Sequence, residues 1–410
     1  MPQDRLSASQ RKQRAANVVV HSRLKPTALA PAPPEARPHA SHQFSDSGHT
    51  FALYDDLPLN RRGYKYKPCR RHGNLGANLY STAELEPYGV RASYFDRAAG
   101  VALSEDLQSV TNPSGWLSAR ANVGMREGCH YFEYDIVRGN EGRAHVRVGI
   151  ARREAALEAP VGFDGYGYGM RDVGGEKITL SRPRAYMPPE EGGFKTGDTL
   201  GILVELPQQS AVQALESSQN NSPNASHVSS KKGSKENSAT PDKTNEYLGA
   251  VRDQLPIKYK NGLYFEQFEY TPTKQMAHLL NPVTVFGEKA VLHTSDTAHI
   301  PTLPGSRIVV YKNGVCMGPM FENLFSFSPS GAAQSSNPSY NHTDDGSLGY
   351  YPMMSVFSGG IVRLNAGPDF KYPVPEGARP LCERYDEKIV EEWMWDLVDE
   401  VEASYLDSFE

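Results

Sequence analysis

The chain has 410 residues, of which 39% are apolar and 22% charged, and its net charge of −5 makes it no bulk binder of polyanions. Its 36 glycines and 30 prolines favour strands and turns over helical bundles. Four scattered cysteines, Cys69, Cys129, Cys316 and Cys382, contain no C-x-x-C pair, which fits a reducing compartment and argues against a zinc finger. Cys69 and His72 have the spacing of half a metal site, but no second pair completes it. The N-terminus has no apolar signal region, and no run approaches the roughly 20 residues of a membrane span. A soluble nuclear or cytosolic protein without cofactor or membrane contact is expected.

Residues 1–50 carry seven Lys/Arg against three acids, without hydrophobic periodicity, and read as a disordered tail. A β-sandwich is expected over 51–380, because short Val/Ile/Tyr/Phe segments recur between Gly and Pro punctuation. Strands are predicted at Gly128–Val137, His145–Ala151, Thr199–Leu206, Gly262–Tyr270, Arg307–Lys312 and Gly360–Asn365. Asn313–Gly314 after an apolar run predicts a tight hairpin. Residues 208–246 are rich in Ser, Asn and Lys without an aromatic, so they form a disordered insertion, and 328–348 reads as a second polar loop.

Several segments carry candidate chemistry. Arg61, Arg62, Lys65, Lys67, Arg70 and Arg71 crowd one stretch with Tyr64 and Tyr66. Such a cluster is either a sequence-independent phosphate contact or an edge strand guarded by lysines. Glu133 and Asp135 share a strand face, as the paired carboxylates of a glycosidase would, but any solvated sheet surface alternates in this way. Arg147 interrupts the apolar strand HVRVGIA, so it points either to solvent or into a concave site. The run GFDGYGYG precedes no helix signal and reads as a loop over the sheet. Nucleophile elbows and phosphate loops are absent, and an enzyme is not expected.

The chain closes with an amphipathic helix, predicted over 385–405. Ile389, Val390, Trp393, Met394, Leu397, Val398 and Val401 recur every three or four positions, with Glu391, Glu392, Asp396, Asp399, Glu400 and Glu402 opposite. A lone helix of this kind either folds back on its own domain or docks in a groove on another protein.

GCHYFEYDIV, APVGFDGYGYGMR, GDTLG, YKNG and GPDFKYP follow one another in the order of a SPRY domain. More narrowly, they resemble the SPRY subunits of COMPASS-type histone H3 lysine methyltransferase complexes, the family of the animal absent-small-homeotic protein. The resemblance runs from about Leu59 to Ser404, both polar loops excluded. It implies an all-β fold, a bent two-sheet antiparallel sandwich with a C-terminal amphipathic helix, and a non-catalytic nuclear scaffold. It also implies that Trp116, Arg147, Pro160, Phe163 and Arg171 receive an acidic segment of the WD-repeat subunit, with Trp116 and Phe163 standing where the family usually has tyrosines. Guanidinium groups would bind carboxylates while aromatic faces grip the peptide. Arg120, on the same stretch, is expected to pair with an acid elsewhere in the domain. The helix would lie in the groove of a small Dpy-thirty-type helical homodimer, and the assembly would support the SET-domain subunit, with the basic stretch touching nucleosomal DNA. The first 50 residues lack the cysteines of a PHD-like zinc module and the length of a winged helix, as the short fungal members do. The alternative is a SPRY peptide-recognition adaptor in another assembly, such as a ubiquitin ligase.

Overall fold

The computed structural model describes residues 40–54, 65–72, 75, 80–82, 85–208, 256–259, 262–267, 300, 302–326 and 348–408. Residues 1–39, Arg61, Arg62, Tyr64, and all of the predicted loops 208–246 and 328–348 except Gln208 and Leu348 lie outside that set.

Two antiparallel sheets face each other. The larger runs in the order Ala40–Asp46, His49–Tyr54, Ala102–Ser104, Ser109–Thr111, Ile361–Asn365, Gly128–Arg138, Thr199–Leu206, Arg307–Lys312 and Val315–Glu322, with Arg379–Pro380 beside Gly128–Arg138. The smaller runs Arg182–Arg184, Lys177–Thr179, Gly167–Arg171, His145–Ala151, Tyr351–Phe357, Leu117–Ala121 and Ala92–Arg97. The expected two-sheet sandwich is therefore present. Its core follows from the strand period of two. Val146, Val148 and Ile150 turn inward to meet Phe132, Tyr134, Ile202 and Val204, all of them buried. The residues between them, Arg147, Gly149 and Ala151, fall on the outer face of the smaller sheet.

Strands His145–Ala151, Thr199–Leu206 and Arg307–Lys312 have the predicted bounds, and the hairpin after Lys312 turns on Asn313 and Gly314, both with positive φ. Three expectations need correction. Residues 40–50 do not belong to the tail: Ala40–Asp46 pairs with His49–Tyr54, the rings of Phe44 and Phe51 stack at 5.7 Å, and Arg138 clamps Asp46 at 2.6 Å. Strand Gly262–Gln267 is not in the sandwich; it joins Pro256–Tyr259, Lys65–Arg71 and Tyr80–Thr82 in a separate four-stranded sheet. Lys65–Arg71 is consequently no edge of the sandwich: Lys65–Pro68 pairs with the strand Gly262–Gln267 and Cys69–Arg71 with Tyr80–Thr82.

Helix α1 spans Glu383–Asp407. Its entry is anchored by the fully buried Leu381 and by Tyr385, which packs on the sandwich core.

Candidate functional site

The outer face of the smaller sheet is covered by the loop between Arg152 and Tyr166, and that loop is held from several sides. Arg120 makes the ion pair expected of it, with both Asp96 oxygens at 2.7 Å, and donates to the carbonyls of Arg152, Arg153 and Ala155. Ser118 Oγ donates to the Ala159 carbonyl at 2.7 Å, while Ser355 Oγ accepts the Val161 N–H at 2.9 Å. Asp164 accepts the N–H groups of Ala156 and Tyr166. Glycine lets the loop lie flat: a Cβ on Gly169 would stand 2.8 Å from the Val161 carbonyl oxygen. The GFDG half of the Gly-rich run is thus loop, and the remainder is strand whose glycines make room for it.

Beyond that loop the sheet face opens on the five predicted pocket residues. Arg147 and Arg171 are register partners on adjacent strands. The Arg147 guanidinium lies 5.1 Å from the centre of the Trp116 ring, which itself packs on Phe357. Pro160 and Phe163 come from the covering loop; Val161 between them accepts a 3.4 Å bond from Arg147, and Phe163 is 46% exposed.

Arg147 is only 9% exposed, and among the described residues its Nε has no hydrogen-bond partner and no carboxylate ion-pairs with it. Burial first, and the Arg171 cation second, push its guanidinium down to about 10, against the opposing pull of Asp172 and Glu176. It remains a cation at neutral pH. A buried cation without a directly paired carboxylate is costly, and an incoming carboxylate lowers that cost. Arg171, by contrast, holds Glu176 at 2.5 Å. Sequence reasoning missed Glu176, Phe357 and Asp172, whose carboxylate accepts Val146 N–H and holds His145 at 3.0 Å. The only local signal was an acid five residues after Arg171, across the Gly174–Gly175 turn.

Helix α1 leaves much of its apolar stripe exposed. Two of its charged side chains turn toward the domain: buried Arg384, which pairs within the helix with Glu387 and Glu391, donates to the Gly124 carbonyl at 3.4 Å, and buried Asp396 stands 3.8 Å from His72. The apolar stripe faces out, with Val390, Met394, Val398, Val401 and Tyr405 between 50% and 69% exposed. Ile389 is 37% exposed, Leu397 is half-buried, and Trp393 packs its ring on His72 at 4.9 Å. The exposed seam is therefore centred on Val390, Met394, Val398 and Val401 and extends one turn to Tyr405.

Among the described residues the other predicted groups are not brought together; Arg61, Arg62 and the side chains of Lys65 and Lys67 lie outside that set. In the strand Lys65–Arg71, Arg70 and Arg71 are exposed, but as neighbours on a pleated strand they project to opposite faces. Cys69 is buried and its thiol is pushed up to about 12 by that burial, while His72 is turned toward α1. Glu133 does not face a cleft. It is fully buried and accepts Lys371 N–H, Tyr372 N–H and Asn365 Nδ2, so it fastens the GPDFKYP segment; Asp135 pairs with Lys371. Among the described residues no helix is long and apolar enough to cross a membrane, and no cluster of three His, Cys, Asp or Glu side chains is placed to hold a metal.

No family model matches the chain. Named relatives do. It is 36% identical over 391 residues to the COMPASS component cclA of Colletotrichum higginsianum, covering 84% of this chain and 67% of that protein. The chain belongs to this family of COMPASS components. The Set1 complex component ash2 of Schizosaccharomyces pombe is 38% identical over 362 residues, which are 87% of this chain but 48% of the yeast protein. The chain thus spans about half the length of that relative. The COMPASS component BRE2 of Saccharomyces cerevisiae is 27% identical, with 88% of this chain and 92% of that protein aligned. A human SPRY domain of known structure aligns at 12% identity and a TM-score of 0.31, covering 66% of this chain and 98% of its own.

Proposed function

We propose that the chain is a non-catalytic scaffold subunit of a COMPASS-type histone H3 lysine methyltransferase complex in the nucleus. One surface, the Arg147 pocket, takes an acidic segment of the WD-repeat subunit. The other, the exposed stripe of α1, lies in the groove of a small Dpy-thirty-type helical homodimer. Together they hold the SET-domain subunit in an active arrangement without contributing a reacting group. The observation that carries this reading is a helix that turns Arg384 and Asp396 to its own domain and leaves five large apolar side chains at least half exposed. Fully burying each is worth roughly 1.5–3 kcal/mol, enough for tight binding after the costs of association. A stand-alone peptide-reading adaptor has no use for such a stripe. Membership of the COMPASS component family supports the same reading.

The test is reconstitution from purified subunits. Full-length chain should co-elute with both the small dimer and the WD-repeat subunit, and its addition should raise methylation of histone H3 by the SET-domain subunit. A chain truncated after Asp386 that still binds the dimer would remove the helix assignment. A nucleosomal DNA contact through Arg70 and Arg71 is read separately: Arg70→Ala/Arg71→Ala should weaken nucleosome binding and flatten its salt dependence.

A further inference from the structure

Two arginines stand side by side in the pocket, and the fold treats them differently. As register partners on adjacent strands they bring two cations to one face, an arrangement that opposes itself unless an anion joins it. Asp172 does not serve, because its carboxylate is engaged by the N–H groups of Asn140 and Val146 and by His145. Glu176 does. The tight turn through Gly174 and Gly175, both with positive φ, is closed by the Arg171 N–H on the Glu176 carbonyl at 2.9 Å. That closure delivers the Glu176 carboxylate to the Arg171 guanidinium at 2.5 Å, with the two side chains 36% and 37% exposed. Arg147, sunk beside Trp116, keeps a buried Nε without a partner. A solvent-accessible ion pair of this kind is held by at most about 1 kcal/mol, so its members can exchange partners.

We propose that Glu176 is a built-in counter-anion: it holds Arg171 while the pocket is empty and is exchanged for a ligand carboxylate when an acidic segment binds. This rests on the pocket reading above. Arg147 then supplies the affinity, and Glu176 supplies selectivity. A ligand with one acid satisfies Arg147 and leaves the Arg171–Glu176 pair intact. A segment with two suitably spaced acids must compete with Glu176 for Arg171, and gains only the difference.

Binding of a short fluorescein-labelled Glu/Asp-rich peptide to the full chain, followed by anisotropy, tests the inference. Glu176→Gln keeps the side-chain size and removes the charge. It should tighten binding by up to about fivefold at low salt, and the gain should shrink as salt screens the site. A control peptide with a single acid should gain less. Equal or weaker binding by Glu176→Gln, with Arg147→Ala still abolishing binding, would overturn the exchange and make Glu176 a residue that merely positions Arg171. Wild-type chain that binds the acidic peptide no better than a neutral scrambled one would instead sink the pocket reading, and the inference with it.

Discussion

In the sheet pocket, a cation is sunk among aromatic and backbone groups on a rigid frame; on α1, apolar side chains are held out in water on an element tied down mainly by its first turn and its polar edge. The first surface offers charge where water is scarce, and the second offers oil where water is plentiful. Each is locally unfavourable in the isolated chain, and each would be relieved by the opposite kind of partner. The surrounding structure pays attention to both in different ways. Arg147 is fixed by the strand it sits in and by Trp116. The stripe is fixed by the contacts of its helix with the domain, from Arg384 to the Gly124 carbonyl and from Trp393 and Asp396 to His72.

The comparison breaks most visibly at the helix. Met394→Glu/Val398→Glu places charges on the exposed seam, and should weaken binding of the small dimer at least about 100-fold, since two side chains worth roughly 1.5–3 kcal/mol each are lost. Folding should be unaffected, because both residues are exposed; equal denaturant midpoints check this. Arg147→Ala should cost the acidic ligand about 10- to 100-fold, the range for a charge-assisted contact. It should leave the denaturant midpoint unchanged or raised, because a buried cation without a directly paired carboxylate is removed.

Glu133→Gln sharpens the contrast from the other side. That buried acid accepts three N–H donors, so the variant should lose about 2–3 kcal/mol of stability while keeping both partners. Loss of a partner without loss of stability would mean that Glu133 belongs to a docking surface. The smallest effect is expected at Asp46. The Arg138 hydrogen bond holds its carboxyl below the ordinary value. An acid depressed by folding contributes stability above its unfolded pKa and loses it as pH falls through the folded one. Asp46→Asn should therefore cost about 1 kcal/mol or less at neutral pH and nothing in strong acid.

Where the sequence carried its own geometry it could be read closely. The alternation in HVRVGIA and the Asn313–Gly314 turn are local, and the strands around them have the predicted ends. Non-local pairing could not be read: nothing near Gly262 indicates that it pairs toward Lys65–Arg71, and the polar hairpin at 40–54 is stabilised by Arg138 from far along the chain. Helical periodicity gave the existence of the stripe, but not which of its edges His72 covers, so Trp393 is partly an internal contact and Tyr405 joins the outer seam. Arg147 was conspicuous as a charge in an apolar strand. The Glu176 pairing was not, because only the turn geometry brings it to Arg171.

The central claim is that the chain carries two separable docking surfaces, and a crossed binding experiment tests it most directly. Met394→Glu/Val398→Glu and Arg147→Ala chains would each be titrated with the small helical dimer and with the WD-repeat subunit. The account predicts that the helix variant loses the dimer and keeps the WD-repeat subunit, and that the pocket variant does the reverse. Either variant losing both partners, or neither, would contradict it.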